Sequence, residues 1–141
     1  MLKRDPEFYE NLTNMRSERY TTMMKALDIV KAFIIEKKLI LVGGMAIDFA
    51  LLLHGDRIYD DDQIPDYDFY SPDHAAHAYE LGNLLCKQGF KNISVITAMH
   101  LTTMKVRVDF EPVADITYCP PSVFAKVPFL KFNHIRFAHP H

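Results

Sequence analysis

Two aspartates separated by one residue carry the strongest chemical signal in this chain. Asp66 and Asp68 flank Tyr67 in the segment 65–70, whose alternating pattern predicts a β-strand. Because side chains alternate along a strand, both carboxylates are expected on one face, close enough to repel. Hard carboxylate oxygens are the ligands that Mg²⁺ prefers, so the pair predicts a divalent-cation site. A solvated acidic strand is the alternative interpretation.

A third carboxylate is expected from a later strand. Asp115 is the single charged residue of the segment 113–117, where an unpaired carboxylate is costly unless a shared metal ion compensates it. Asp109 is the competing candidate. It lies beside a predicted turn and has Arg107 two residues away on its own face, so we predict Asp115 as the third ligand.

A pair of glycines supplies a candidate phosphate site. Gly43 and Gly44 follow the apolar run 39–42, which is typical of a buried strand that ends in a tight turn. Residues 45–54 then read as a helix. Glycines allow backbone N–H groups to approach a triphosphate at a helix N-terminus, so we expect a phosphate site facing the metal site.

The elements that must position these residues follow from hydrophobic periodicity and turn signals. The predicted helices cover residues 20–35, 45–54 and the segment from an Asp73 N-cap to Gly89. The predicted strands cover residues 39–42, 65–70, 92–98, 103–110 and 113–118, with a loop at 55–65 and a tight turn at Glu111-Pro112. This order predicts an α/β (α+β) fold: a mixed β-sheet with helices on one face, preceded by an N-terminal helical segment.

The composition excludes several classes of protein. The 141 residues, 49% hydrophobic and 24% charged, suit one globular domain. No apolar run is long enough to span a bilayer, so we expect no membrane partner. Cys86 and Cys119 form no C-x-x-C pair, which argues against a disulfide framework or a zinc site and favours a reducing, cytoplasmic location.

The motifs together resemble the nucleotidyltransferase fold of the DNA polymerase β superfamily. The matching segments are Val42-Gly43-Gly44-Met45-Ala46, Pro65-Asp66-Tyr67-Asp68-Phe69-Tyr70 and Val113-Ala114-Asp115-Ile116. Within that superfamily the chain looks most like the poly(A) polymerase catalytic subunit of large DNA viruses, of the poxvirus and giant-virus type. The resemblance covers roughly residues 38 to 120.

The resemblance implies an enzyme that transfers AMP from ATP to an RNA 3′-hydroxyl without a template. Asp66 and Asp68 would bridge two Mg²⁺ or Mn²⁺ ions, and Asp115 would hold the ion that activates the attacking hydroxyl. The backbone of Gly43 and Gly44 would hold the β- and γ-phosphates. ATP and an RNA 3′ end are therefore the expected partners.

The resemblance also sets expectations about organisation. We expect an N-terminal helical segment at residues 1–37 and a nucleotidyltransferase domain at 38–141 that forms the front part of a longer polymerase. A homodimer or a processivity subunit, in the host cytoplasm or a virion, would fit. Two alternatives stay open: a small nucleotidyltransferase that modifies a protein or an antibiotic, and a non-catalytic subunit that binds a partner through the methionine-containing helix.

The charge is unevenly distributed although its formal total is only −2. Six aspartates lie between residues 56 and 68, whereas the segment 116–141 contains no acid. Lys126, Lys131 and Arg136 in that segment are therefore predicted to contact RNA, weakly because they are few. Ordinary surface charges are the alternative.

Overall fold

A seven-stranded mixed sheet organises the part of the chain that the computed structural model describes, which is residues 6–43, 66–99, 102–132 and 134–138. The helices are α1 (Pro6–Glu36), α2 (His74–Lys87) and the single turn α3 (Pro121–Phe124). The strands are β1 (Ile40–Val42), β2 (Tyr67–Ser71), β3 (Ser94–Thr97), β4 (Thr103–Val108), β5 (Glu111–Tyr118), β6 (Phe129–Phe132) and β7 (Ile135–Ala138). Their order across the sheet is β3-β4-β5-β2-β1-β7-β6.

The centre of the sheet combines both pairing modes. Strand β2 pairs antiparallel with β1 and parallel with β5, and β1 pairs parallel with β7. Antiparallel pairs β3-β4, β4-β5 and β6-β7 complete the two sides. The mixed sheet confirms the predicted fold class, although the β6-β7 hairpin was not predicted.

The two faces of the sheet differ in chemistry. On β2, Tyr67 and Phe69 are buried in the core that α1 and α2 form with the sheet. Asp68 and Tyr70 alternate with them and therefore lie on the opposite face, which we call the carboxylate face. The period-2 pattern of this strand thus separates the packed core from the chemical groups.

Helix α1 begins earlier than the periodicity predicted. The helix was predicted over residues 20–35 and extends from Pro6 to Glu36. Its second half packs into the same core as the sheet through Val30 and Ile34, which are completely buried. Lys38, with φ +55°, then turns the chain into β1. The proposed division at residues 37–38 stays a prediction.

The turn between β4 and β5 lies two residues before its predicted position. Asp109 and Phe110 both have positive φ and form the turn, whereas Glu111 and Pro112 begin β5. Pro112 lacks an N–H group, and β4 shows a register shift between Val106 and Arg107 opposite it. The bulge therefore accommodates the proline that had suggested a turn.

The start of α2 also differs from the prediction. Asp73 occupies the N-cap position, but its side chain makes no capping hydrogen bond. Instead, its backbone N–H donates to the Oγ of Ser71, which is fully buried and lies 2.5 Å from Nδ1 of His77. Ser71 therefore links the end of β2 to the first turns of the helix.

Two predicted elements cannot be compared with the structure. The helix at residues 45–54 and the loop at 55–65 lie outside the described residues. Within the described ranges, no helix is both long and apolar enough to cross a bilayer.

Candidate active site

Three carboxylates converge on the carboxylate face. Asp66 directly precedes β2, and Asp68 lies two residues further along it. The parallel register places Asp115 of β5 beside Asp68. One carboxylate oxygen from each of the three residues lies within 4.8 Å of the others. The sequence interpretation named these three side chains, and the structure brings them together.

Crowding and burial alter the protonation of this cluster. Burial raises the pKa of Asp68 to about 7, with the charges of Asp66 and Asp115 adding to the shift. The pKa of Asp66 is also raised, first by burial and then by Asp115. Ionising all three carboxylates is therefore unfavourable without a compensating cation.

Lys105 supplies part of that compensation. It lies on β4 directly opposite Asp115, so the two side chains share the carboxylate face. Its Nζ is 3.2 Å from Oδ1 of Asp115 and donates a hydrogen bond to Oδ2 at 3.4 Å. Lys105 was not predicted from the sequence, because its position opposite Asp115 depends on the register of a bulged strand pair.

Gly43 brings the chain against the cluster immediately after β1. Its φ is +71°, a conformation that favours glycine. A Cβ atom at this position would lie 2.8 Å from Oδ2 of Asp68. Glycine is therefore required both by the backbone and by the nearby carboxylate. Gly44 lies outside the described residues, so its predicted contact with phosphate stays a prediction.

The chemistry of the donor set fits a divalent cation. The cluster offers only carboxylate oxygens, which suit Mg²⁺ or Mn²⁺. Oδ1 of Asp115 is buried and accepts no hydrogen bond within the described residues, even though Lys105 is within ion-pair distance. An oxygen that is desolvated but available in this way is well suited to bind a metal ion.

Asp109, the competing candidate, is in a different environment. It lies in the β4-β5 turn with φ +49° and is exposed. Its Oδ1 accepts a hydrogen bond of 3.0 Å from Nδ2 of Asn92. The geometry therefore favours Asp115, while the role of each residue in catalysis stays a prediction.

The three cations predicted to contact RNA fall into two groups. Lys131 and Arg136 lie opposite one another on the β6-β7 hairpin. Lys126 lies just after α3 and is exposed. The guanidinium of Arg136 lies over the Phe129 ring at 4.9 Å and the Phe124 ring at 5.7 Å from the centroids. The structure thus pairs Lys131 with Arg136 across the hairpin, and Lys126 lies two residues after Phe124, whose ring contacts Arg136.

Comparison with known proteins agrees with this arrangement. Residues 28–141 match the model of the family described as poly(A) polymerase catalytic subunit. The chain is 43% identical over 132 residues to the protein of that description in African swine fever virus, covering 94% of this chain. It is 32% identical over 117 residues to the Acanthamoeba polyphaga mimivirus protein of the same description, covering 82% of this chain.

A solved structure supports the fold. The crystal structure of the Megavirus polyadenylate synthase matches with a TM-score of 0.82 at 23% identity, covering 99% of this chain and 31% of that one. This chain spans 28% of the length of its African swine fever virus relative and 20% of the mimivirus one. The predicted resemblance to viral poly(A) polymerase catalytic subunits is confirmed, and the chain belongs to the poly(A) polymerase catalytic subunit family.

Proposed function

We propose that this chain carries the catalytic carboxylates of a poly(A) polymerase, which transfers AMP from ATP to the 3′-hydroxyl of RNA. The observation that carries the proposal is the convergence of Asp66, Asp68 and Asp115 on one sheet face. Family membership supports the choice of ATP and RNA as substrates.

The bond changes define what the site must do. The 3′ oxygen of RNA forms a bond to the α-phosphorus of ATP, the bond between the α-phosphorus and the bridging oxygen breaks, and pyrophosphate leaves. The hydroxyl proton passes to solvent. Alignment of the two substrates and neutralisation of phosphate charge are the main contributions that a protein makes to such a transfer.

The three aspartates would hold Mg²⁺ or Mn²⁺, as two ions in the proposed arrangement. A bound divalent cation supplies charge neutralisation and lowers the pKa of an attacking oxygen. The residues contribute a fixed set of oxygens: Asp66 and Asp68 from one chain segment, and Asp115 from the neighbouring strand. Asp68 and Asp115 lie on paired strands, and Asp66 directly precedes one of them. The sheet therefore holds the three carboxylates in place before a metal ion binds, so the site is preorganised.

Gly43 and Lys105 border this set on different sides. Gly43 lies directly beside Asp68, whose carboxylate occupies the space that a side chain at residue 43 would need, and the family resemblance implies that the Gly43 backbone binds phosphate. Lys105 holds the Asp115 carboxylate from the β4 side. We assign Gly43 to phosphate binding and Lys105 to positioning of Asp115.

Primer extension tests the proposal. The protein is incubated with radiolabelled ATP, Mg²⁺ or Mn²⁺, and an oligo(A) primer, and the products are separated by length. We expect a ladder of extended primers that disappears in Asp68→Asn, which keeps the size of the side chain but removes its charge.

The other outcomes separate the alternatives. Label that moves to a protein instead of the primer would favour a protein-modifying nucleotidyltransferase and contradict the proposal. If the protein leaves ATP unconsumed with every acceptor, a non-catalytic subunit becomes the better interpretation.

A further inference from the structure

A cavity lies at the end of the sheet where α1 passes into β1 and meets the β6-β7 hairpin. Its volume is about 410 Å³. Four basic side chains line it: Lys38, Lys131, His134 and Arg136. Ile34, Ile35, Leu39 and Phe129 contribute an apolar surface, and no acidic side chain of the described residues lines the cavity. The lining is therefore cationic with an aromatic component.

The cations of this cavity are not neutralised within the described residues. Neighbouring Lys37 provides the contrast, because its Nζ forms an ion pair with Glu80 at 2.6 Å. Lys38, Lys131 and Arg136 have no such partner in the described ranges. Unpaired cations grouped around a concave surface create a local positive potential that attracts an anion.

Arg136 is the best-defined of these groups. Its guanidinium lies over the rings of Phe129 and Phe124, which fix its plane. Its Nε is buried and has no hydrogen-bond partner in the described part of the chain. Burial lowers the pKa of this side chain, but arginine remains charged. The guanidinium carries further donors on its two terminal nitrogens, and these are the groups that an anion in the cavity would contact.

The strand registers relate this cavity to the carboxylates. Arg136 lies beside Ile40 on β1, and Ile40 lies opposite Tyr70 on β2. Residues paired in register share a face, so Arg136 lies on the carboxylate face together with Tyr70 and Asp68. Normal strand spacing and rise place the Cα atoms of Arg136 and Asp68 about 12 Å apart.

We propose that this cavity binds a backbone phosphate of the RNA primer, upstream of the 3′ end that reaches the carboxylates. The inference rests on the proposed function for the identity of RNA as substrate. Planar guanidinium donors match phosphate oxygens, and the exposed Phe129 ring beside them offers a surface on which a base stacks.

The geometry favours RNA over the other anions. An ATP molecule whose α-phosphorus lies at the carboxylates has its other phosphates close to that point, whereas the Cα of Arg136 lies about 12 Å from that of Asp68. An RNA strand that leaves the carboxylates towards this end of the sheet can reach the cavity. The aromatic rings beside Arg136 suit bases better than they suit an acidic peptide, which needs only charge.

Equilibrium binding of a fluorescent oligo(A), without ATP, tests the cavity. The protein carries Asp68→Asn, so binding is measured independently of catalysis. The variants are Lys131→Gln, Arg136→Met and Lys38→Asn, the last chosen because asparagine tolerates positive φ. Lys25→Gln and Lys91→Gln are matched controls, since both lysines are exposed and neither lines the cavity.

We expect Arg136→Met to weaken binding by about tenfold, as for loss of a charge-assisted hydrogen bond. Loss of the one phosphate contact in Arg136→Met should reduce the magnitude of the log–log salt slope by about 0.7, the value for one contact on a single strand, and Lys131→Gln and Lys38→Asn should each reduce it by less. The controls should match the parent protein. Lys131→Gln removes only an exposed side chain, so it tests the cavity even if Arg136→Met fails to fold.

The competing outcomes are distinct. Equal affinity and slope for cavity and control variants would overturn the proposal while leaving primer extension unaffected. Displacement of oligo(A) by polyglutamate as effectively as by unlabelled oligo(A) would indicate an acidic protein partner and overturn it as well. Displacement by ATP or inorganic phosphate at equal concentration of phosphate groups would assign the cavity to a free anion instead of RNA. The protein with Asp68 intact could also fail to extend a primer while the cavity variants lose RNA binding. That combination would support the cavity and contradict the proposed function.

Discussion

The carboxylate of Asp68 occupies the space that a side chain at residue 43 would need, since a Cβ on Gly43 would lie 2.8 Å from Oδ2 of Asp68. The end of β1 and the start of β2 therefore approach closely at Gly43 and Asp68. The antiparallel register, which pairs Val42 with Asp68, produces this approach. A glycine that looked like a turn residue therefore also shapes the carboxylate cluster.

Gly43→Ala should greatly reduce the rate of AMP transfer but only slightly reduce the free energy of unfolding. The positive φ costs about 1 kcal/mol for alanine, and the methyl group must displace the Asp68 carboxylate. We expect a loss of activity of about 100-fold, measured by primer extension. Gly89→Ala is the control, because Gly89 also has positive φ but no atom within 4 Å of its added Cβ. Similar activity for the two variants would contradict the proposed role of Gly43.

Lys105→Met should destabilise the metal-free protein and increase its response to metal. The substitution removes the ammonium group that lies 3.2 Å from Asp115 and leaves the carboxylates uncompensated. Both side chains are partly exposed, so the expected decrease in the thermal midpoint is modest, about 3 °C. Mg²⁺ or Mn²⁺ should then raise the midpoint more than in the parent protein. Lys91→Met is the control, and an identical response of the two variants to metal would refute the positioning role.

The stability of the metal-free protein should fall as pH rises from about 4 to about 7. The pKa of Asp68 is about 7 in the folded state, whereas an aspartate ordinarily has a pKa of 3.8, the value taken for the unfolded state. The folded state therefore binds more protons than the unfolded state in this interval. Stability therefore decreases with pH wherever the unfolded state binds fewer protons. Thermal midpoints measured in a chelator at several pH values check this, with Asp68→Asn as the comparison. If Asp68→Asn shows the same decrease, the decrease arises from other groups.

Addition of metal should reverse that loss. A cation that binds only the folded, ionised cluster raises the midpoint most at and above pH 7, where Asp68 is no longer protonated. At pH 5 the same metal concentration should have little effect, because protons occupy the cluster. A midpoint that does not respond to millimolar Mg²⁺ or Mn²⁺ at pH 8 would count against a metal site.

Local patterns were sufficient to predict the elements that position the three aspartates. The alternation around Asp66 and Asp68 follows directly from strand geometry, and the isolated Asp115 was recognisable because an apolar strand otherwise excludes charge. The resemblance to a known family then linked these segments. Both signals are contained in short stretches of sequence, which explains why they could be found without a structure.

Features that depend on pairing between distant strands were not predictable in this way. The position of Lys105 opposite Asp115 requires the register of β4, which shifts at a bulge. The grouping of Arg136 with Lys38 requires that β7 pair in parallel with β1, a contact between segments almost 100 residues apart. Periodicity within a single strand carries no information about either pairing.

Asp115→Asn should remove nearly all AMP transfer, whereas Asp109→Asn should leave most of it. Asp115 is half-buried in the cluster, and its amide replacement keeps the shape but weakens the hold on a cation; we expect a loss of about 1,000-fold. Asp109 lies exposed in the β4-β5 turn, where asparagine tolerates the positive φ and still accepts a hydrogen bond from Asn92. Primer extension and metal-dependent thermal shifts should be measured for both variants. Because each substitution removes one negative charge without changing side-chain size, a difference between them reports position and not net charge. An active Asp115→Asn protein beside an inactive Asp109→Asn protein would show that the third ligand has been assigned to the wrong aspartate.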